Sequence, residues 1–343
     1  MGLSSRRKVF FIFLACCLFF FSFCVYSFLR PSSATLSAKT IYIRRGTPLW
    51  KISETLEEES IIRNRYLFSA VAIVLGKRSG IKAGEYELHT RMLPLEVLDA
   101  LITGQVRRHL VTLAEGCTLS QVAQLLQDSD IVEKKTFLEK ARSPALISSL
   151  GLSESAGATV EGYLFPETYY LTREMDPEEV IRVMVHQFKK VFSPDLENRA
   201  AQIGLSPKEA LTLASIVEKE TPLPSEKPLI SAVYHNRLKK RMPLQSDPTV
   251  IYGIENFNGN LTKEDLLRPT PYNTYFIQGL PPSPICNPGK DSILAALYPA
   301  SVPYLYFVSK NDGSHYFSFD LEEHDRAVWK YQKWSRKNHL TKK

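Results

Sequence analysis

Two glutamates, Glu218 and Glu220, close the stretch SPKEALTLASIVEKET (206–221) and are the residues best placed for proton-transfer chemistry. Ser206 and Glu209 stand in capping-box spacing with Pro207 at the first helical position, which predicts a helix start. Pro222 and Pro224 stop it beyond Thr221. Between them Ala210, Leu211, Leu213, Ala214, Ile216 and Val217 run almost without polar interruption, the pattern of a helix buried on most sides. Helical spacing from Leu211 and Ala214 stacks Glu218 on that apolar stripe. Desolvation and a helix C-terminus both disfavour negative charge, so both raise a carboxyl pKa, and a carboxyl held protonated near neutral pH is a general acid. Glu220 lies two positions on, roughly 200° around the helix, so the two carboxyls face different ways. The competing reading of Glu218 is structural, as the ion-pair partner of a lysine or arginine.

Polar and aromatic residues that could hold a substrate cluster in four further segments. EGYLFPETYYL (161–171) carries Glu161 and Glu167 among aromatics, whose faces stack on sugar rings or equally fill a core. LQSDPTVIYG (244–253) brings Gln245, Ser246 and Asp247 to a Pro turn before an apolar strand-like or helical run. TPYNTY (270–275), with Tyr272, Asn273 and Tyr275, and GLPPSPICNPG (279–289) are too rich in Pro and Gly for regular structure and read as ordered loops, the usual site of binding groups. Asn236 and Arg237, on a helix predicted over 227–241, are further candidates for reaching a site.

Several chemistries are set aside. No HExxH spacing offers zinc, and His315 and His324 read as structural or exposed. Ser79-Gly-Ile-Lys82 matches SxxK but no KTG follows, and GxSxG, P-loop and GxGxxG patterns are missing. No metal or organic cofactor is expected. Cys117 and Cys286 are too far apart in sequence for a metal knuckle and are read as free thiols. The net charge of +7 fits anionic surroundings, but no zinc-finger or RNP-like pattern appears, so nucleic acid is not an expected partner.

The 343 residues leave room for two or three compact domains. Residues 1–8 contain Arg6, Arg7 and Lys8 and precede VFFIFLACCLFFFSFCVYSFL (9–29), a run free of formal charge and about long enough to span a bilayer. No cleavage site follows, so the run is expected to stay as a transmembrane anchor with a cytoplasmic N-terminus. A linker (30–39) leaves the membrane. Over 40–140 there is an internal repeat: IYIRRGTPLWKISETLEEESII (41–62) aligns with VTLAEGCTLSQVAQLLQDSDIV (111–132), each reading as strand, glycine turn, amphipathic helix and a closing apolar pair. Residues 81–88 read as a strand entered at Gly84. A joint rich in Ser, Ala and Gly (141–160) leads to residues 161–343. There Asp176 is expected to cap a helix over 176–192, 304–309 and 315–319 to form a hairpin, and Asp320 with Glu323 to cap a last helix before a basic tail. The fold class expected is α+β: an N-terminal transmembrane helix, strand–helix modules, then a mixed α+β domain.

In this order, EGYLFPETYYL, LTLASIVEKET, LQSDPTVIYG, TPYNTY and GLPPSPICNPG closely resemble the bacterial YceG-like family, the endolytic murein transglycosylases known as MltG. The resemblance covers essentially the whole chain, anchor included. It implies LysM-like modules over 40–140, a catalytic domain over 161–343, and Glu218, the first glutamate of EKET, as the catalytic residue. It further implies cleavage between N-acetylmuramic acid and N-acetylglucosamine in nascent peptidoglycan strands beside the synthases, ending strand growth. One glutamate would protonate the bridging oxygen and then deprotonate the muramoyl 6-hydroxyl, giving a 1,6-anhydro product outside the cytoplasm at the inner membrane. Gln245, Ser246, Asp247, Tyr272, Asn273, Tyr275, Glu161 and Glu167 are the substrate-binding candidates. Two alternatives stay open: a non-catalytic wall-binding protein, and a hydrolase using two carboxyls, for which Glu220 and Asp247 are available.

Overall fold

The computed structural model describes residues 5–152, 159–173 and 175–334, without the side chains at 5–8, 21, 24, 27, 333 and 334. The basic tail, the first four residues and the 153–158 part of the joint lie outside the described residues. The chain divides into two compact units, the first comprising 1–110 and 170–175, the second 111–169 and 176–343. The division falls inside the repeat, between its copies.

In the first unit, helix α1 (Ser5–Phe28) carries exposed apolar side chains along its length. Among the described residues, which leave out seven side chains inside this helix, no helix is long and apolar enough to cross a membrane. Strand β1 (Ala38–Ile43), helices α2 (Leu49–Glu58) and α3 (Arg65–Val74), strand β2 (Gly84–His89) and helix α4 (Pro94–Thr103) follow. β1 and β2 pair antiparallel, Ile43 opposite Gly84. Alternation in β1 turns Ile41 and Ile43 inward, where they meet Ile52 and Leu56 of α2, Phe68 of α3, Tyr86 of β2 and Leu101 of α4. This core is built from the apolar positions that periodicity marks.

In chain order come strand β3 (His109–Thr112), helices α5 (Leu119–Asp128), α6 (Lys134–Ala141) and α7 (Pro144–Ser149), and strand β4 (Thr168–Leu171), which pairs with β3. Helices α8 (Pro177–Val191), α9 (Pro194–Gln202), α10 (Pro207–Glu220), α11 (Lys227–Lys239), α12 (Asp247–Tyr252), α13 (Lys263–Leu267) and α14 (Lys290–Leu297) follow, then strands β5 (Tyr306–Ser309) and β6 (His315–Ser318) and helix α15 (Leu321–Val328), which runs into a π turn to Trp334. The expected caps are present: Ser206 with Glu209 on α10, Asp176 on α8, Asp320 on α15. β5 and β6 form the expected antiparallel hairpin.

The repeat extends to backbone detail. Gly46 and Gly116 both take positive φ in the turn after the strand, and Ser60 and Asp130 do so after the helix. The closing pairs then bond back to the equivalent leucine, Ile61 and Ile62 to the Leu56 carbonyl, Ile131 and Val132 to that of Leu126. A left-handed residue after a helix with such return bonds is a Schellman-type stop, which explains why the same short polar-then-apolar ending recurs.

α10 is the centre of the second unit. Every residue from Ala210 to Val217 is buried, and the helix packs on α9, α11, α12 and α14. Burying Leu211, Leu213, Ile216 and Val217 contributes roughly 1.5–3 kcal/mol each before chain entropy is charged. Its one hydroxyl facing the loop 279–289 is used: Ile285 N donates to Ser215 Oγ at 3.0 Å. The Pro-rich loop is thereby fixed to the helix that carries the carboxylates.

Candidate active site

The last turn of α10 offers its two carboxylates to separate sets of partners, as their spacing requires. Glu218 faces α14. Its Oε2 accepts from the Gly289 backbone N–H at 2.9 Å and from Ser292 Oγ at 2.7 Å. Lys227 Nζ, at the start of α11, lies 3.2 and 3.3 Å from its two oxygens. Both side chains are buried, 7% and 3% exposed. Gly289 caps α14 without a side chain, so Glu218 supplies the acceptor that the exposed N–H groups of that helix start need. The apolar stripe under Glu218 is present, but the carboxylate is not stranded on it. A lysine and a helix N-terminus, both distant in sequence, come to meet it, which is the competing structural reading of this residue.

Glu220 turns the other way. Its Oε1 accepts from Tyr234 Oη at 2.5 Å and from Ser246 Oγ at 2.6 Å. Both donors converge on one oxygen, Oε1. The carboxyl lines a cavity of about 370 Å³ together with Arg237, Gln245, Asp247, Tyr275 and His315. Burial is the largest influence on this group and pushes its pKa up; the bonds from Ser246 and Tyr234 oppose that, and the nearby Asp247 charge adds to the rise. The result is a carboxyl biased towards its protonated form and open to a ligand-sized space.

The segment 243–247 is built to hold that geometry. Arg237 donates through Nε to the Leu305 carbonyl at 2.7 Å and through Nη1 to those of Pro243 and Leu244 and to Gln245 Oε1. Gln245 sits at φ 52°, in the left-handed region, held also by its N–H on the Thr274 carbonyl at 3.1 Å. Ser246 N donates to Thr274 Oγ1 at 2.9 Å. Asp247 starts α12, is exposed and accepts from Tyr275 Oη at 2.7 Å.

The structure brings Gln245, Ser246, Asp247 and Tyr275 together around Glu220. Asn273 is wholly buried and braces its loop, donating to the Leu266 and Arg268 carbonyls and accepting from Tyr275 N. Tyr272 packs on Tyr252 and bonds Ser283. Glu167 is exposed, its nearest bond being to the following N–H. Glu161 is buried where the start of α5 meets α12, accepting from Leu119 N at 2.8 Å and Tyr252 Oη at 3.1 Å. Its pKa is raised to about 7, burial outweighing those bonds.

Four residues beside these carboxylates or lining the cavity escaped the sequence reading. Tyr234 lay on a helix whose pattern marked only Leu229, Ile230, Val233 and Leu238 as inward. Its position fourteen residues after Glu220 carries no periodic signal, and the bond exists because α11 folds back on α10. Lys227 reads as an exposed helix start, yet is buried against Glu218. His315 and His324, expected to be structural or exposed, both line the cavity. Among the described residues no three His, Cys, Asp or Glu side chains stand together as a metal site, and Cys117 and Cys286 are free thiols.

Comparison with known proteins follows the same lines. The pattern of the YceG-like family matches residues 41–330. An endolytic murein transglycosylase of Bacillus subtilis is 31% identical over 307 residues, covering 85% of this chain and 84% of the relative. One of Streptococcus pneumoniae is 31% identical over 318 residues, covering 84% of this chain, which spans 57% of that longer protein. The crystal structure of a YceG-like protein from Listeria monocytogenes superposes with a TM-score of 0.58 at 32% identity, over 84% of this chain and 98% of that one. With its pattern matched from the first strand to the last helix, the chain belongs to the YceG-like family.

Proposed function

We propose that this protein is an endolytic murein transglycosylase and that Glu220, rather than Glu218, is its acid–base residue. The observation that carries the reading is the Glu220 carboxyl itself: biased towards protonation by burial, bonded by protein donors on one oxygen, and open on a cavity of about 370 Å³. In the first step the Glu220 proton goes to the glycosidic oxygen between N-acetylmuramic acid and N-acetylglucosamine, and the C1–O bond breaks. In the second, the Glu220 carboxylate takes the proton of the muramoyl 6-hydroxyl as its oxygen bonds C1. The carboxyl ends as it began, no water is consumed and the product is a 1,6-anhydro sugar. Tyr234 and Ser246 stabilise the carboxylate between the steps, and Gln245, Asp247 and Tyr275 are placed to orient the sugars. Glu218 ties α10 to the start of α14 and to Lys227.

We place the enzyme at the inner membrane, held by residues 9–29. That run carries no formal charge, and α1, which contains it except for Leu29, presents exposed Val, Phe, Ile and Leu side chains. The body would then stand outside the cytoplasm beside the peptidoglycan synthases, where cleavage of nascent strands ends their growth. The strand–helix copies would hold glycan as LysM-like modules. Deleting residues 1–29 tests the anchor: the full chain should fractionate with membranes and the truncated one should not.

Asp247 lines the same cavity as Glu220, which favours one second reading, a two-carboxyl hydrolase. Product analysis on purified glycan strands separates the readings. Anhydromuropeptides support the transglycosylase, reducing ends the hydrolase, and intact strands a wall-binding protein.

A further inference from the structure

The wall of the cavity contributed by the β5–β6 hairpin holds a second polar device. Glu226, which precedes α11, is buried and clamps His315 at two points, accepting from its backbone N–H at 2.9 Å and from its ring Nδ1 at 2.7 Å. A carboxylate can only accept, so Nδ1 carries the proton and Nε2 of the neutral ring is left with its lone pair. His315 lines the cavity that Glu220 lines. Phe307, whose ring lies 5.4 Å away and edge-on to the imidazole, restricts ring movement from the neighbouring strand. Nothing in the two proton transfers assigned to Glu220 uses this clamp.

We propose that His315 is a substrate-orienting residue: fixed by Glu226, its neutral Nε2 accepts a hydrogen bond from a hydroxyl of the sugar bound at Glu220. The hydroxyl that most needs orientation is the muramoyl 6-hydroxyl, which must be turned towards C1 before Glu220 removes its proton. The inference rests on the reading of Glu220 as the acid–base group. The charged and titratable groups around the ring are Glu226 from the start of α11, Glu220 from α10, and across the cavity Arg237, Asp247, Tyr275 and His324. Glu226 is the one in contact.

The experiment measures kcat/KM for anhydromuropeptide release from purified glycan strands. It uses the detergent-solubilised full chain with melting curves for each variant. His315→Ala should lose roughly 10- to 100-fold, the size of one substrate hydrogen bond. His315→Gln, whose amide oxygen can still accept, should lose less. Glu226→Gln, which loosens the clamp on the ring, should also lower kcat/KM. Full activity in folded His315→Ala, or a loss in His315→Gln as large as in His315→Ala, overturns the inference. Glu220→Gln is run alongside. If it is inactive while His315→Ala is fully active, the function stands and the orienting role falls. If Glu220→Gln is fully active, the function itself has failed.

Discussion

Replacing Lys227 by Met separates the structural carboxylate from the one assigned to chemistry. Met roughly preserves the length and volume of the side chain and removes the ammonium, leaving the Glu218 carboxylate buried with the Gly289 N–H and Ser292 hydroxyl as its remaining partners. Removing one member of a buried ion pair costs about 3–5 kcal/mol, because the other charge stays out of water without compensation. Glu115, whose carboxyl lies 3.7 Å from Lys227 Nζ and is about half exposed, adds little to that cost. In a folding unit of this size each kcal/mol lowers Tm by about 2–4 °C, so the single variant should melt roughly 6–20 °C below the wild type. The double variant Lys227→Met/Glu218→Gln has no buried charge left and should recover most of that loss, since an uncharged pair of similar volume is often nearly neutral. Thermal melts followed by tryptophan fluorescence, in a four-member cycle with Glu218→Gln, give the coupling between the residues. A single variant as stable as the wild type, or a double variant no better than the single, would refute the ion-pair account of Glu218.

Glu161→Gln should change how stability responds to pH. Its folded pKa of about 7 lies above the ordinary carboxyl value of 4.5, so its contribution is fully present below about pH 4.5 and is lost as pH rises through 7. That amounts to about 3 kcal/mol, and the variant should gain on the wild type across this window in denaturant titrations. A gap that stays constant with pH contradicts the assignment. Gly162→Ala should destabilise strongly, by several kcal/mol, because φ is +88° there and a Cβ would lie 2.5 Å from Pro284; an unchanged Tm contradicts this. Tyr234→Phe removes a donor that favours the Glu220 carboxylate, so the fall in activity on the alkaline side should move to higher pH. No movement would mean that Glu220 does not set that limb.

The local fold was legible where short-range physics decides it. Capping boxes, Pro at first helical positions and the apolar period gave α10, α8 and α15 with their caps, and the seventy-residue offset anticipated matching turns and closing pairs. The opposite facing of Glu218 and Glu220 also followed from helix geometry alone. What the pattern could not contain was which face meets the cavity. That is decided by α11 folding back to deliver Lys227 to one carboxylate and Tyr234 to the other, and by α14 starting at Glu218. An apolar stripe beneath a carboxyl reads as desolvation when its neighbours are unknown; in the structure Glu218 has Lys227 and the α14 start as partners, and burial raises the pKa of Glu220. His315 was passed over because it belongs to no metal spacing; only the hairpin return beside Glu226 gives it a partner. The division between the units inside the repeat was equally hidden, since the two copies look alike in sequence.

Anhydromuropeptide release by Glu218→Gln and Glu220→Gln, each compared with wild type and checked by melting curves, tests the central claim most directly. Gln keeps the volume of Glu220 and can accept from Tyr234 and Ser246, but it cannot give or take the proton. Release should fall by at least the 10²–10⁴-fold that a general acid–base group contributes, with the fold intact. Glu218→Gln should melt at lower temperature yet release anhydromuropeptides at a measurable rate below its melting point. Full release by Glu220→Gln, or loss confined to a well-folded Glu218→Gln, would contradict the account.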